Sequence, residues 1–358
     1  MTMKLKVGVV GCGVGQAHIQ AYQNLSDQFQ VTAVCDIDEA KGRATSAKYG
    51  IANFYRDFVD LCGVREVDVI DICTPSHMHT SQAKQALAAE KHVVCEKPVS
   101  GSLKEVDELI LAASRSERRV MPVFQYRFGH GVQKLKFLVE QGITGQAYLS
   151  TVETAWRRRA EYYAVPWRGK WNTELGGPLV TLAIHALDLL YYILGPAKSV
   201  YVRAKTMVNP IETEDCISAS VEMRDGSLAS LSVTTGSAAE ISRHRFCFSN
   251  LSAESNTQPY NNGADPWTFT GDTPEQSKRI EDVLARFTPL PEGYVGQFYR
   301  FYQALRNNTP LPVTLADARA SLELITAMYS SAQTGQAASL PVNNDHAKYA
   351  GWQPGGGK

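Results

Sequence analysis

Across its first 124 residues the chain repeats one pattern: a run that is apolar at nearly every position, a turn of glycine or polar residues, then a stretch with apolar residues at helical spacing. The runs are Val7-Gly8-Val9-Val10, Val31 to Cys35, Val67 to Cys73, His92 to Cys95 and Val120 to Phe124. The stretches between them are His18 to Leu25, Glu39 to Lys48, Ser81 to Ala89 and Glu105 to Ser114. A strand that is apolar on both faces must be covered on both, and the alternation supplies the crossover helices that cover a parallel sheet. The fold expected is α/β with a doubly wound N-terminal domain.

After Phe124 the rhythm changes. A helix over Val132 to Glu140 leads into longer, alternating strands at Ala147 to Thr154, Ser199 to Lys205, Cys216 to Met223, Leu228 to Thr234 and Arg243 to Ser249. Asp225-Gly226 is a hairpin signal between two of them. This reads as a C-terminal α+β domain with a large, mainly antiparallel open sheet, whose free face is expected to make a homo-oligomer, dimer or tetramer. At 358 residues two domains are expected, here 1–124 and 125–345, followed by a tail 346–358 whose glycine-rich end should be disordered. Residues 251–273, rich in Asn, Ser, Gly and Pro, read as an irregular excursion, either a loop at the mouth of a site or a solvated insertion. Helices are expected over Val295 to Arg306 and Leu315 to Ala332.

Lys plus Arg equals Asp plus Glu at 36 each, so no net field recruits nucleic acid or an anionic membrane, and a small substrate is expected. Seven cysteines without a C-x-x-C pair suit free thiols in a reducing cytoplasm. Cys12, Cys35, Cys73 and Cys95 recur at strand ends as small apolar residues. No His, Cys and Asp grouping has ligand spacing, so no metal is expected. The N-terminal residues read directly into a strand, so neither a secretion leader nor a membrane segment is expected.

Gly11-Cys12-Gly13-Val14-Gly15 lies between the first strand and the first helix, where glycines let backbone approach a pyrophosphate and a helix start offers free N–H groups. The spacing is G-x-G-x-G, with Gln16 where the usual motif has its last glycine, and a plain tight turn would use the same residues. Asp36, 21 residues after Gly15 and followed by Ile37, ends the second strand. A carboxylate there accepts from a ribose diol and repels a 2′-phosphate, which favours NAD over NADP, with Arg43 softening that preference and an N-cap as the alternative role.

Cys95-Glu96-Lys97-Pro98 follows the strand His92 to Cys95 and so falls at the C-terminal rim of the parallel sheet, where open α/β folds bind ligands. A partly shielded lysine beside an oxidised nicotinamide can share a proton with a substrate hydroxyl. Further on, Trp156-Arg157-Arg158-Arg159 and Tyr162 to Trp171 crowd aromatic and basic residues together. Rings stack on sugar C–H faces while Arg and Tyr hydrogen-bond hydroxyls, so Trp156 and Tyr163 are candidate substrate contacts; a subunit interface would draw the same composition.

With these residues in view, Gly11-Cys12-Gly13, Thr74-Pro75 with His79, and Glu96-Lys97-Pro98 resemble the Gfo/Idh/MocA family of oxidoreductases. Gly176-Gly177-Pro178 through His185 and Asp188 resembles that family's second signature. The resemblance implies a Rossmann N-terminal domain, Lys97 as the cofactor-side lysine and His185 as the catalytic histidine. It also implies that Thr74, Pro75, His79 and Glu96 lie along the dinucleotide, and that Gln125, Trp167 and Arg168 lie near the nicotinamide, with Tyr126 and Arg127 beside the substrate. One departure stands out: relatives similar to inositol dehydrogenase carry Asp four residues before the histidine, where this chain has Thr181. Four residues apart on one helix share a face, so Thr181 can hydrogen-bond a sugar hydroxyl, but it takes no proton at neutral pH. The activity implied is NAD-dependent oxidation or reduction at a hydroxyl-bearing carbon of a sugar, glycoside or cyclitol. Alternatives are an NAD-dependent glycosidase acting through transient C3 oxidation and a non-catalytic NAD-sensing protein.

Overall fold

The computed structural model describes residues 4–354, so the expected disorder at 355–358 lies outside the described residues. The chain forms two compact units, one of residues up to Phe124 with Tyr294–Arg319, the other of Gln125–Gly293 with the residues from Ala320 on.

In the first unit a six-stranded parallel sheet comprises β1 (Leu5–Val10), β2 (Phe29–Cys35), β3 (Asn53–Tyr55), β4 (Val69–Ile72), β5 (His92–Cys95) and β6 (Val120–Pro122), in the order β3-β2-β1-β4-β5-β6. Helices α1 (Gly15–Gln23), α2 (Glu39–Tyr49), α3 (Phe58–Cys62), α4 (His79–Ala88) and α5 (Leu103–Ser114) connect the strands. Val7, Val9, Val69, Ile70, Val93 and Val94 are fully buried, as the all-apolar runs require of a sheet covered on both faces. Helix starts follow local chemistry: Asp38, Asp57 and Ser102 accept from Lys41, Val59 and Glu105 amides respectively. Strand order reverses between β1 and β4, which sets a crevice at their C-terminal ends. β3 and α3 are too short to leave a periodic signal in sequence.

The second unit contains α6 (His130–Glu140), β7 (Ala147–Arg157), α7 (Ala160–Tyr163), α8 (Pro178–Thr181), α9 (Ile184–Leu194), β8 (Ala197–Lys205), β9 (Cys216–Met223), β10 (Leu228–Thr234) and β11 (Gly236–Phe248). It continues with β12 (Leu251–Glu254), β13 (Thr268–Gly271), α10 (Pro274–Leu284) and β14 (Ala338–Ser339). Its eight-stranded sheet runs β13-β12-β11-β7-β10-β9-β8-β14. Every pair is antiparallel except β7 with β10, which run parallel, so the sheet is mixed. The parallel pair joins strands distant in sequence, and alternation within each strand carries no record of it. Ile217, Ala219, Val221, Ala229, Leu231 and Val233 supply one buried face, with polar residues between them.

Three expectations need correction. Residues 251–273 are not irregular throughout, because β12 and β13 pair with each other and β12 with β11, extending the sheet. Short strands of Ser, Ala and Thr look like loop by composition.

The helix α11 (Gly293–Asn307) and the start of α12 (Leu315–Thr334) belong with the first unit rather than the second. Phe298 stacks on Tyr22 at 4.3 Å, and the Gln297 amide bonds both Pro122 O (2.8 Å) and the Phe124 N–H (3.1 Å). An amphipathic pattern shows that a face is buried, not what buries it.

The third correction concerns the described part of the tail. Trp352 is 1% exposed, its indole N–H donates to Leu175 O at 2.5 Å, and its ring lies 6.0 Å from that of Tyr329.

All seven cysteines are free thiols, five of them buried. Among the described residues no helix is long and apolar enough to cross a membrane. Trp352→Ala should destabilise the protein by about 3–5 kcal/mol, the cost of emptying a large aromatic site. A shift of the denaturation midpoint measures it, and an unchanged midpoint would show that residues near 352 are dispensable.

Candidate functional site

At the end of β1 the backbone of Gly11 takes φ +90°, and a Cβ there would lie 2.5 Å from Cys73 O. Above Gly13 the space is open, with Lys41 Nζ at 3.9 Å as the nearest atom a Cβ would meet. Gly15 begins α1, and a Cβ on it would come within 3.0 Å of Val9 and 3.4 Å of Cys73. The turn is therefore not short of a glycine: Gly15 gives α1 its close approach to β1, and Gln16 turns back to bond Cys12 O at 3.1 Å. An open backbone turn at a helix start fits a pyrophosphate.

Asp36 is 9% exposed and accepts from the Cys12 N–H (2.8 Å) and the Asp38 N–H (3.0 Å), so it is fixed beside the turn. Ile37 next to it is 80% exposed. The cation beside Asp36 is Lys41 at 3.5 Å, not Arg43, which pairs with Glu39 at 2.7 Å and covers the Phe54 ring. Arg43 is therefore turned away from Asp36.

At the ends of β4 and β5, His79 joins two loops. Its Nδ1 lies 2.7 Å from Pro98 O and its Nε2 2.8 Å from Thr74 O. Burial holds the His79 pKa below the usual histidine range, although both carbonyls favour the protonated ring. Thr74 donates to Gln82 at 2.6 Å, leaving Pro75 exposed in part on the loop. Lys97 is half-buried just past β5. The Glu96 side chain faces the core: one oxygen lies 3.1 Å from His18 Nε2 and the other accepts the Lys97 N–H at 3.0 Å.

In the second unit His185 opens the first turn of α9, buried, with the Tyr126 ring stacked on it at 4.3 Å and 15°. Arg127 is 5% exposed and holds Asp188 through bonds of 2.7 and 2.5 Å, an anchor for α9 rather than an accessible group. Gln125 precedes them, half-buried. His244 adds a second anchor: its Nε2 donates to Ala186 O at 3.2 Å while Asn262 donates to its Nδ1 at 2.7 Å, and burial pushes its pKa down to about 4.

Thr181 does not share a helix with His185. α8 ends at Thr181, α9 starts at Ile184, and the Thr181 hydroxyl donates to Gly177 O at 3.0 Å. The segment is held by Glu214, whose carboxylate accepts Gly177 N–H at 3.1 Å, Leu179 N–H at 3.3 Å and the Tyr329 hydroxyl at 2.9 Å. A Cβ at Gly177 would sit 1.9 Å from Glu214 O, so only glycine fits there.

The aromatic and basic cluster is real but partly covered. Arg158 lies over Trp156 and Tyr162 at 5.1 Å each and pairs with Glu240 at 2.9 Å. Arg168 lies over Tyr162 (3.9 Å) and Trp167 (4.3 Å) and pairs with Glu174 at 3.0 Å. Trp156 is 4% exposed with its indole on Ser242, whereas Tyr163 and Trp167 are half-buried.

Residues 5–124 match the oxidoreductase family with an NAD-binding Rossmann fold, and residues 132–250 match the GFO/IDH/MocA C-terminal domain. The chain belongs to the Gfo/Idh/MocA oxidoreductase family.

Within that family it is 26% identical to the oxidoreductase YrbE of Bacillus subtilis, over 97% of this chain and 99% of that protein. It is 31% identical to the D-glucoside 3-dehydrogenase of Escherichia coli, over 53% of this chain and 54% of that protein, so this match spans about half of each. Among solved structures, the WlbA dehydrogenase of Bordetella pertussis in complex with NADH and UDP-GlcNAcA has 28% identity and a TM-score of 0.84, covering 95% of this chain and all (100%) of that one. The first unit of this family member is an NAD-binding Rossmann domain.

His18, Asp71, Glu214, His244 and Tyr294 escape motif reading. Each has a partner dozens of residues away in sequence, which no local spacing reveals. His18, Asp71 and Cys73 place possible ligand atoms within 4.8 Å of one another. With Nδ1 of His18 2.8 Å from Asp71, the group is joined by a hydrogen bond.

Two outcomes follow. Asp36→Ala should raise the preference for NADP over NAD by about tenfold or more, the scale of one charge-assisted hydrogen bond, in the ratio of kcat/KM values. Burial pushes the Glu214 pKa from 4.5 up to about 7, so the folded state holds a proton that the unfolded state releases sooner. That contribution is complete at low pH and is lost as pH rises between about 4.5 and about 7. Melting temperatures of wild type and Glu214→Gln should therefore converge or cross as pH rises through that window, and a constant difference would contradict it.

Proposed function

We propose that this protein is an NAD-dependent dehydrogenase or ketoreductase acting at a hydroxyl-bearing carbon of a sugar, glycoside or cyclitol. The observation that carries the reading is His185, held at the first turn of α9 by Arg127–Asp188 and the Tyr126 ring, in a chain whose other half binds NAD. NAD, when bound, supplies the two-electron acceptor or donor for the carbinol carbon. His185 takes the hydroxyl proton in oxidation, and Lys97 hydrogen-bonds the same oxygen and stabilises negative charge developing on it. With Thr181 in place of a carboxylate and its hydroxyl turned to Gly177 O, these two residues share the proton. The D-glucoside 3-dehydrogenase relative and the WlbA complex with UDP-GlcNAcA support a sugar. Trp167, Arg168 and Tyr163 offer the ring faces and donors that such a ligand uses. Exposed Tyr148, Leu149, Tyr201 and Leu228 on the second sheet are the surface proposed for a homo-oligomer.

His185→Ala should lower turnover by about 10²- to 10⁴-fold, the usual contribution of a general base, while NADH affinity stays close to wild type. Net NADH formation over a panel of pyranoses, glycosides and inositols reads both the substrate class and this effect. Near-normal turnover of the variant would overturn the assignment, and glycoside cleavage without net NADH would favour a glycosidase.

A further inference from the structure

The buried face of α1 carries His18, which is fully shielded between the ends of two strands. Its Nδ1 lies 2.8 Å from Asp71 Oδ2 on β4, and its Nε2 lies 3.1 Å from Glu96 Oε1 just past β5. A neutral imidazole has one N–H and can satisfy one carboxylate, whereas an imidazolium satisfies both. Burial disfavours the charge, but the Asp71 carboxylate and Cys73 oppose it and hold the His18 pKa well above the usual range. Around the ring, Tyr22 lies on the same helix, Cys73 Sγ is 3.4 Å away, the Tyr294 ring is at 4.5 Å and Phe298 closes the edge at 5.2 Å. Tyr294 also donates its hydroxyl to Glu96 Oε1 at 3.2 Å.

The other oxygen of Glu96 accepts the backbone N–H of Lys97 at 3.0 Å. A hydrogen-bonded path therefore runs from Asp71 through His18 and Glu96 to the Lys97 amide. We propose that His18 is a positioning residue for Lys97: as an imidazolium it holds the Glu96 carboxylate on the Lys97 amide and fixes the charge beneath that lysine. The inference rests on the reading of Lys97 as a proton-handling group. Without the imidazolium, Glu96 either takes up a proton or stays a buried carboxylate that has lost its charged His18 partner, next to Lys97. Either change alters where the Lys97 backbone sits and how tightly its side chain holds a proton.

Asp71→Asn tests this at a distance, since it keeps the shape and the acceptor for His18 Nδ1–H while removing the charge that keeps the ring protonated. Turnover should fall about tenfold or more, and the alkaline limb of the kcat profile should move to lower pH, because His18 now loses its proton sooner. NADH affinity, read by fluorescence quenching, should remain within about twofold of wild type, because the pyrophosphate turn and Asp36 are untouched. His18→Gln, which keeps an amide toward Glu96 without the charge, should reproduce the loss of turnover and serves if the first variant does not fold. Folded, NADH-binding variants with wild-type kcat and pH profile would overturn the inference. Lys97→Met separates the two readings: if it is inactive while both other variants match wild type, the role of His18 alone fails, and if it turns over normally, the role of Lys97 fails.

Discussion

The dinucleotide half of the protein is organised by the absence of a side chain at position 11. Gly11 N–H donates to Cys35 O at 2.8 Å, Cys73 N–H donates to Val10 O at 2.7 Å, and a Cβ on Gly11 would meet Cys73 O at 2.5 Å. The ends of β1, β2 and β4 are thus drawn together with no room for a larger residue. From this convergence follow the position of the Cys12 amide against Asp36, the seat of Gly15 on Val9 and Cys73, and the direction in which the Thr74-Pro75 loop leaves β4. A binding turn made by close-packed backbone needs its neighbours in place before it has a shape at all.

In the second unit, buried charged and polar groups do the comparable work. Asp188 holds Arg127, His244 holds Ala186 O, and Glu214 holds Gly177 and Leu179. Each fixes backbone or a side chain around His185 from a different element, so the histidine is set by three independent anchors. Low dielectric strengthens such bonds and makes each one costly to leave unsatisfied, which restricts the segment to one arrangement. The Thr181 substitution sits within this frame: the hydroxyl closes the α8 turn on Gly177, a structural use that a carboxylate could not duplicate as a donor.

How much could be read in advance depended on how local the cause was. β5, β9 and β10 have the bounds that their apolar runs imply, because pattern and burial coincide there residue by residue. β12 and β13 did not show themselves, since each is four residues long in a stretch rich in Asn, Ser, Gly and Pro, and they are held by pairing of β12 with β11 and of β13 with β12. Trp352 lay in a stretch that composition marks as tail, yet its indole finds Leu175, 177 residues earlier in the chain. At the candidate site, the motif residues Gly11, Asp36, Glu96, Lys97 and His185 were visible, whereas the buried partner of the Glu96 side chain was not. That partner, His18, is 78 residues distant, and no spacing rule spans that separation.

The amino-acid sequence alone therefore determined the doubly wound first domain, the glycine turn after β1 and the motif residues, because periodicity, glycine and short spacing act within a few residues. Tertiary structure decided the rest. It placed residues 294–319 with the first unit, split α8 from α9 so that Thr181 and His185 lie on different helices, and tied Lys97 through Glu96 to a buried His18. Those outcomes depend on which distant side chains share a buried, low-dielectric space, and that is a property of the packed chain rather than of any stretch of it.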